Sequence, residues 1–127
     1  MSETLVVYVP DLGQGVSFYQ ALGLALEELI PEREALLAPL EGPLLLLRPG
    51  SGGVEQGPNR PRPEGRGFAR VGVEEGRLVF FVENLEHEKL RLAKYGLPFR
   101  ETGEHLLLFD PGENPVLVRE PPPEKHP

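Results

Sequence analysis

Residues 5–24 read LVVYVPDLGQGVSFYQALGL, and residues 78–97, which lie 73 positions further along the chain, read LVFFVENLEHEKLRLAKYGL. Six of the twenty aligned positions are identical. Each stretch begins with a compact apolar and β-branched run, which predicts a buried strand. Asp11 and Asn84 follow as predicted helix caps, because their side chains can accept the free N–H groups of a first helical turn. The repeated order indicates an internal duplication, which any fold assignment has to explain.

Three short apolar runs follow each predicted helix, which ends at Gly23 in the first half and at Gly96 in the second. The runs lie at residues 24–30, 35–40 and 44–47, and then near 99 and at 105–109 and 116–118. Turn residues separate them, as is typical of antiparallel strands. The predicted fold class is therefore α+β, with a duplicated βαβββ module. Module 1 covers about 4–48, a linker or lid loop 49–76, module 2 about 77–119, and a proline-rich tail 120–127.

The composition describes one acidic domain. The chain has 127 residues, of which 39% are hydrophobic, and this is enough for a single core. It has no cysteine, which excludes disulfides, thiolate nucleophiles and thiolate zinc sites. A formal charge of −7 repels phosphate backbones, so we expect no nucleic-acid partner. Fifteen prolines beside a single methionine are typical of a thermophilic source or of a skewed genome base composition.

The start of the sequence carries no targeting signal. Residues 1–4 have no basic segment, and the apolar run 5–9 is too short for a signal-peptide core or a membrane span. We therefore expect a cytoplasmic protein with no membrane partner.

Three segments have motifs in common with a known superfamily. They are YVPDL leading to FY and LGL within residues 8–24, FVENL leading to GLPF within 81–99, and FDPGENP at 109–115. With them, most of residues 4–119 resembles the vicinal oxygen chelate superfamily, which contains glyoxalase I, bleomycin resistance proteins and extradiol dioxygenases. The resemblance implies strands that form a curved mixed sheet with a concave cup, and helices on its convex side. It also implies a homodimer.

Metal-dependent members of that superfamily place ligands on the opening and closing strands of each module. The resemblance puts these positions at Thr4, Leu46, Arg77 and Leu117. Leucine has no donor atom, arginine keeps its proton, and threonine is at best a weak neutral ligand. The adjacent positions 5, 45, 47, 78, 116 and 118 are all apolar. We therefore predict no metal site and no cofactor, and any divalent metal would need other groups.

Strand alternation predicts which side chains face the cup, because residues two apart share a face. The candidate ligand-binding residues are Thr4, Tyr8, Leu46, Arg48, Arg77, Phe81, Leu117 and Arg119. A guanidinium matches a carboxylate or a phosphate, so three inward arginines would favour an anionic, partly apolar small molecule. An acidic surface would instead attract a cation, which leaves the sign of the ligand's charge open. The arginines would otherwise be surface residues paired with nearby glutamates.

The missing metal ligands favour a metal-independent protein that sequesters a small molecule in the cup, similar to the bleomycin resistance branch. One alternative is a glyoxalase- or dioxygenase-like enzyme with atypical ligands, such as His105 and a nearby glutamate, or with metal-free acid–base chemistry. Another is a structural homodimer whose cup is filled. The loop 49–76 is predicted to be a lid or a linker, in which 68–73 adds an edge strand or covers the cup. Asp110 is predicted to cap the turn before Pro111. His87 is expected on a solvated helix face, and His126 in a disordered, proline-rich tail.

Overall fold

The computed structural model describes residues 1–122, and within that range the chain has two helices and ten strands. The proline-rich tail, with His126, lies mostly outside the described residues. In chain order the elements are β1 (Thr4–Val9), α1 (Leu12–Ala21), β2 (Ala25–Ile30), β3 (Glu34–Ala38), β4 (Leu44–Pro49), β5 (Val54–Gln56), β6 (Arg70–Glu74), β7 (Arg77–Phe81), α2 (Leu85–Lys94), β8 (Arg100–Thr102), β9 (His105–Phe109) and β10 (Pro115–Arg119).

Both helices begin and end at the residues that the sequence indicates. The side chains of Asp11 and Asn84 accept hydrogen bonds from the backbone N–H three residues later, at 2.9 and 3.0 Å. Gly23 and Gly96 follow the helix ends with positive φ angles of 108° and 70°, which glycine adopts without steric cost. Among residues 1–122, neither helix has the length and apolar character needed to cross a membrane.

The sheet topology confirms the duplication. One five-stranded sheet has the order β2-β3-β4-β1-β5, and the other has the equivalent order β8-β9-β10-β7-β6. The opening and closing strands of each module, β1 with β4 and β7 with β10, pair in parallel, and the other pairs are antiparallel. The linker supplies β5 and β6, each of which adds to the edge of an opening strand. The predicted edge strand is therefore present as β6, whereas β5 was not predicted from the sequence.

A single hydrophobic core joins the helix-facing sides of both sheets. Tyr19 of α1 is fully buried, and its ring stacks on that of Phe80 from the second sheet, with centroids 6.3 Å apart. Alternate residues of the opening strands, Leu5 and Val7 in β1 and Leu78 in β7, belong to the same core. The opposite face of each sheet, which we call the outer face, therefore points away from this core.

The turn at residues 110–114 connects module 2 to the end of β1. The Asp110 carboxylate accepts hydrogen bonds from the backbone N–H groups of Gly112 and Asn114 at 2.8 and 2.9 Å, so the predicted cap is confirmed. The same carboxylate accepts the Tyr19 hydroxyl at 2.7 Å. The Asn114 side chain donates to the Tyr8 carbonyl at 3.0 Å. One buried turn thus holds helix α1 and strand β1 against the second module.

Candidate functional site

All eight predicted ligand-binding residues lie on the outer faces of the two sheets. In module 1, Thr4 and Tyr8 alternate with the core residues of β1, and Tyr8 lies opposite Arg48 in the strand register. In module 2, Phe81 lies opposite Arg119 in the same way. The two outer faces therefore carry equivalent pairs, an aromatic residue beside an arginine. Their surroundings differ, however, and so does what each face can bind.

The linker crosses the outer face of module 1. The Gly57 N–H donates to the Thr4 carbonyl at 2.8 Å, and a Cβ at Gly57 would lie only 3.0 Å from Val6. Further along, Gly67 donates to the Ala38 carbonyl at 2.9 Å. Residues 57–67 therefore pass over this face from β5 at one edge towards β3, and we call this segment the strap.

Two arginines hold the strap in place. The Arg60 guanidinium lies 3.7 Å from the Glu34 carboxylate on β3. The Arg62 guanidinium donates to the carbonyls of Pro39 and Gly42, both at 2.8 Å. Hydrogen bonds from a charged donor to backbone carbonyls are stronger than neutral ones, so Arg62 stabilises the position of the strap more than Arg60 does.

Beneath the strap, the outer face of module 1 is a second hydrophobic cluster that includes Val6, Leu36 and Leu46. Leu46 is 1% exposed and Thr4 is fully buried, so neither of these candidates is accessible to a ligand. At the rim, the Tyr8 hydroxyl donates to Glu55 at 2.5 Å, and this hydrogen bond, with the nearby negative charge, raises the pKa of Tyr8. In this conformation the chain itself fills the half of the cup that module 1 was predicted to offer.

The outer face of module 2 is more open. Val79 and Leu117 are buried, but Leu107 and Phe81 are half-buried and Phe109 is 55% exposed. The Arg119 guanidinium lies 5.4 Å from the centre of the Phe81 ring and donates to the carboxylate of Glu74. This face therefore offers exposed apolar surface beside a charged group, which is the combination that small-molecule sites use.

Two buried polar atoms on this face have no hydrogen-bond partner within residues 1–122, namely Arg119 Nε and Thr102 Oγ1. Thr102 and Arg119 both lie opposite His105 in the strand register, so the three residues form one cross-strand row. Most buried polar atoms in proteins are paired, and leaving one unpaired costs about 1–3 kcal/mol. Within residues 1–122, this row is therefore the place on the outer face of module 2 where the chain leaves polar atoms without a hydrogen-bond partner.

The predicted set of three arginines that face a ligand with free guanidinium groups is not formed. Arg77 lies 3.1 Å from the largely exposed Glu75, and Arg48 lies 3.4 Å from Glu34. Twenty acidic residues leave few arginines without a carboxylate neighbour, which explains the difference. Arg119 also has a glutamate partner, but it retains an unsatisfied donor.

The residues at the superfamily's metal positions do not fit a metal. Leu46 and Leu117 have no donor atom and the Arg77 guanidinium is positively charged, which leaves Thr4 as one weak ligand. Within residues 1–122, no three His, Asp or Glu side chains lie close enough together to hold an ion. Across the strands, His105 has Thr102 and Arg119 as neighbours, and not the carboxylate that the enzyme alternative needs.

Four residues of the two outer faces were not predicted from the sequence, namely Thr102, Glu74 and the strap arginines Arg60 and Arg62. Thr102 lies in a strand of only three residues, and nothing in the local sequence sets its register against β9. Glu74 belongs to β6, whose pairing with β7 turns its side chain to the outer face. Alternation along β6 could have placed Glu74, but only after β6 had been paired with β7.

The fold is similar to solved structures at low sequence identity. Lactoylglutathione lyase from Agrobacterium tumefaciens is 20% identical with a TM-score of 0.62, over 92% of this chain and 90% of that one. A glyoxalase/bleomycin resistance protein/dioxygenase from Alicyclobacillus acidocaldarius is 19% identical with a TM-score of 0.56, over 92% and 88%. A genomically encoded fosfomycin resistance protein from Listeria monocytogenes is 14% identical with a TM-score of 0.57, over 99% and 94%. No protein-family model and no curated protein sequence matches the chain.

Proposed function

Because the chain has the vicinal oxygen chelate fold, we propose that it binds a small, anionic and partly apolar molecule on the outer face of module 2 without a metal. The observation that carries the proposal is the pair of buried, unsatisfied atoms Arg119 Nε and Thr102 Oγ1 in one cross-strand row. The cup predicted from the sequence was shared by both modules, whereas the proposed site lies on module 2 alone, because the strap leaves that module open.

The chemistry of this face favours an anion. The Arg119 Nε–H can donate only, and the Thr102 hydroxyl can donate as well, so the oxygens of a carboxylate, phosphonate or sulfonate match the hydrogen-bonding capacity of either atom. Leu107 and Phe81 are half-buried and supply apolar surface for the body of the ligand. The names of two similar structures contain the names of small molecules, lactoylglutathione and fosfomycin, which supports a small-molecule ligand.

Anilinonaphthalene sulfonate tests the site, because it joins aromatic rings to one anionic group and its fluorescence rises on binding. We expect R119Q to weaken its binding by roughly tenfold, the loss of one charge-assisted hydrogen bond. T102V removes the second polar atom without changing the net charge, and we expect a smaller loss of affinity. The control is R33Q, which removes the same charge from the exposed turn between β2 and β3. Wild-type affinity in both R119Q and T102V would overturn the proposal.

Metal content separates this proposal from the enzyme alternative. We expect purified protein to contain no stoichiometric divalent ion and to keep its melting temperature after chelation, since a bound ion would stabilise the folded state. A stoichiometric ion whose removal lowers the melting temperature would contradict the metal-free proposal. It would support the glyoxalase- or dioxygenase-like enzyme alternative instead.

We also propose that the chain forms a homodimer, as the resemblance implies. Sedimentation velocity would then give twice the chain mass of 14.1 kDa across a range of protein concentrations.

For module 1, the strap supports the filled-cup alternative, because the chain's own residues occupy its outer face.

A further inference from the structure

We propose that a second ligand site lies between the modules and that it takes an apolar molecule with a single positive charge. A cavity of about 690 Å³ lies where the end of α1, the β3–β4 turn, the linker before β6, the end of β7 and helix α2 meet. Small-molecule sites typically measure roughly 300–1,000 Å³, so this volume is in their range. We call it the junction cavity. Of the eight residues predicted to bind a ligand, only Phe81 contributes to its lining.

The walls of the junction cavity are mostly apolar. Leu22 comes from the end of α1, Leu40 from the β3–β4 turn, and Phe80 and Val118 from the second sheet. Phe68 lies in the same lining and is 65% exposed. A phenylalanine ring that remains this exposed beside a concave apolar surface is an unusual use of a large hydrophobic residue. A ligand in the cavity would cover it.

Both arginines in the lining are already paired. Arg91 donates to the Glu88 carboxylate, with Nε at 2.9 Å, and to the carbonyl of Ala21. Its guanidinium also lies 5.4 Å from the centre of the Phe68 ring. Arg70 lies 3.7 Å from the carboxylate of Glu41. Neither guanidinium is therefore available to an anionic ligand without loss of an existing contact.

Glu83 is the charged residue of the lining that remains unpaired. Within residues 1–122 its carboxylate has neither an ion-pair partner nor a hydrogen-bond donor, and it is exposed at the end of β7. The lining carries three glutamates against two arginines, which leaves one net negative charge. The whole chain has a formal charge of −7, which adds a long-range attraction for cations. An ammonium or protonated aromatic nitrogen beside Glu83, with its apolar body against Phe68 and Leu40, matches this lining.

Aminoacridine, a flat aromatic cation whose emission changes on binding, tests the junction cavity. We expect one site per chain, and we expect E83Q to weaken binding by roughly two- to fivefold, because water largely screens an ion pair with an exposed carboxylate. F68A should weaken it by about tenfold through the loss of aromatic contact. The control is E104Q, which removes the same charge from the β8–β9 turn, outside the lining. Unchanged affinity in E83Q and F68A would overturn the inference, as would an equal loss in E104Q.

The two proposed sites can fail separately. Phe81 contributes to both sites, but the first also uses Arg119 and the second uses Glu83, so variants of these two residues separate the sites. R119Q should therefore weaken only the sulfonate, and E83Q only the cation. Equal losses of affinity for both probes in R119Q and in E83Q would overturn the second site and leave a single site. If the wild-type protein bound aminoacridine but not anilinonaphthalene sulfonate, the proposed function would be overturned and the junction cavity would not.

Discussion

Tyr19 is the residue through which the two modules share a buried hydrogen bond. Burial and the negative charge of Asp110 raise the pKa of Tyr19 well above its ordinary value. The folded state therefore keeps the phenol neutral, whereas the unfolded chain ionises it above about pH 10. Its contribution to stability is complete below about pH 10 and is lost as the pH rises further.

We expect Y19F to lower the free energy of unfolding by about 1–2 kcal/mol at neutral pH, because Asp110 loses one buried donor. Above about pH 10 the wild type should lose stability more steeply than Y19F, and urea unfolding at a series of pH values measures both effects. Y95F removes a hydroxyl from an exposed tyrosine and should stay within about 0.5 kcal/mol of the wild type at neutral pH. Parallel pH curves for the wild type and Y19F would contradict this role.

Local chemistry explains which single residues could be predicted from the sequence. Asp11, Asn84 and Asp110 accept hydrogen bonds from backbone N–H groups within four residues of them. Their residue types and positions were therefore sufficient to predict their capping roles. Arg119 could be placed on the correct face by alternation alone. Its pairing with Glu74 could not, because that contact joins residues 45 positions apart whose meeting depends on sheet pairing.

Among the elements, the strap has the largest functional consequence, because it closes one outer face and leaves the other open. Arg62 donates to two carbonyls of the β3–β4 turn, and its removal should loosen the strap while the sheets stay paired. We expect R62A to lower the free energy of unfolding by about 1–3 kcal/mol and to speed tryptic cleavage after Arg66 several-fold. Arg62 precedes a proline, a bond that trypsin cleaves poorly, so its loss removes no efficient cleavage site.

R33A is the matched variant for this experiment, since Arg33 lies in an exposed turn. It should be cleaved after Arg66 at the wild-type rate. Equal cleavage of R62A and the wild type would show that Arg62 does not hold the strap.

The element order was predictable because strand, cap, helix and glycine each leave a local pattern, and the pattern occurs twice. Strand β5 has three residues and no periodicity to detect. The division of the strands into two sheets follows from where β5 and β6 pair, which is set by hydrogen bonds to β1 and β7. The strap is equally nonlocal, because its arginines bind residues more than twenty positions away.

The net charge of the whole molecule opposes one proposed ligand and favours the other. A charge of −7 repels an anion on its way to Arg119 and attracts a cation towards Glu83. Raising the ionic strength from about 10 mM to about 150 mM shortens the screening length from roughly 30 Å to 8 Å, which removes most of this long-range effect. The affinity for anilinonaphthalene sulfonate should then rise or hold, while that for aminoacridine falls, and fluorescence titrations at the two salt concentrations measure both. If salt weakened both probes alike, the long-range charge would not be what distinguishes the sites, because the local guanidinium and carboxylate would then dominate each affinity.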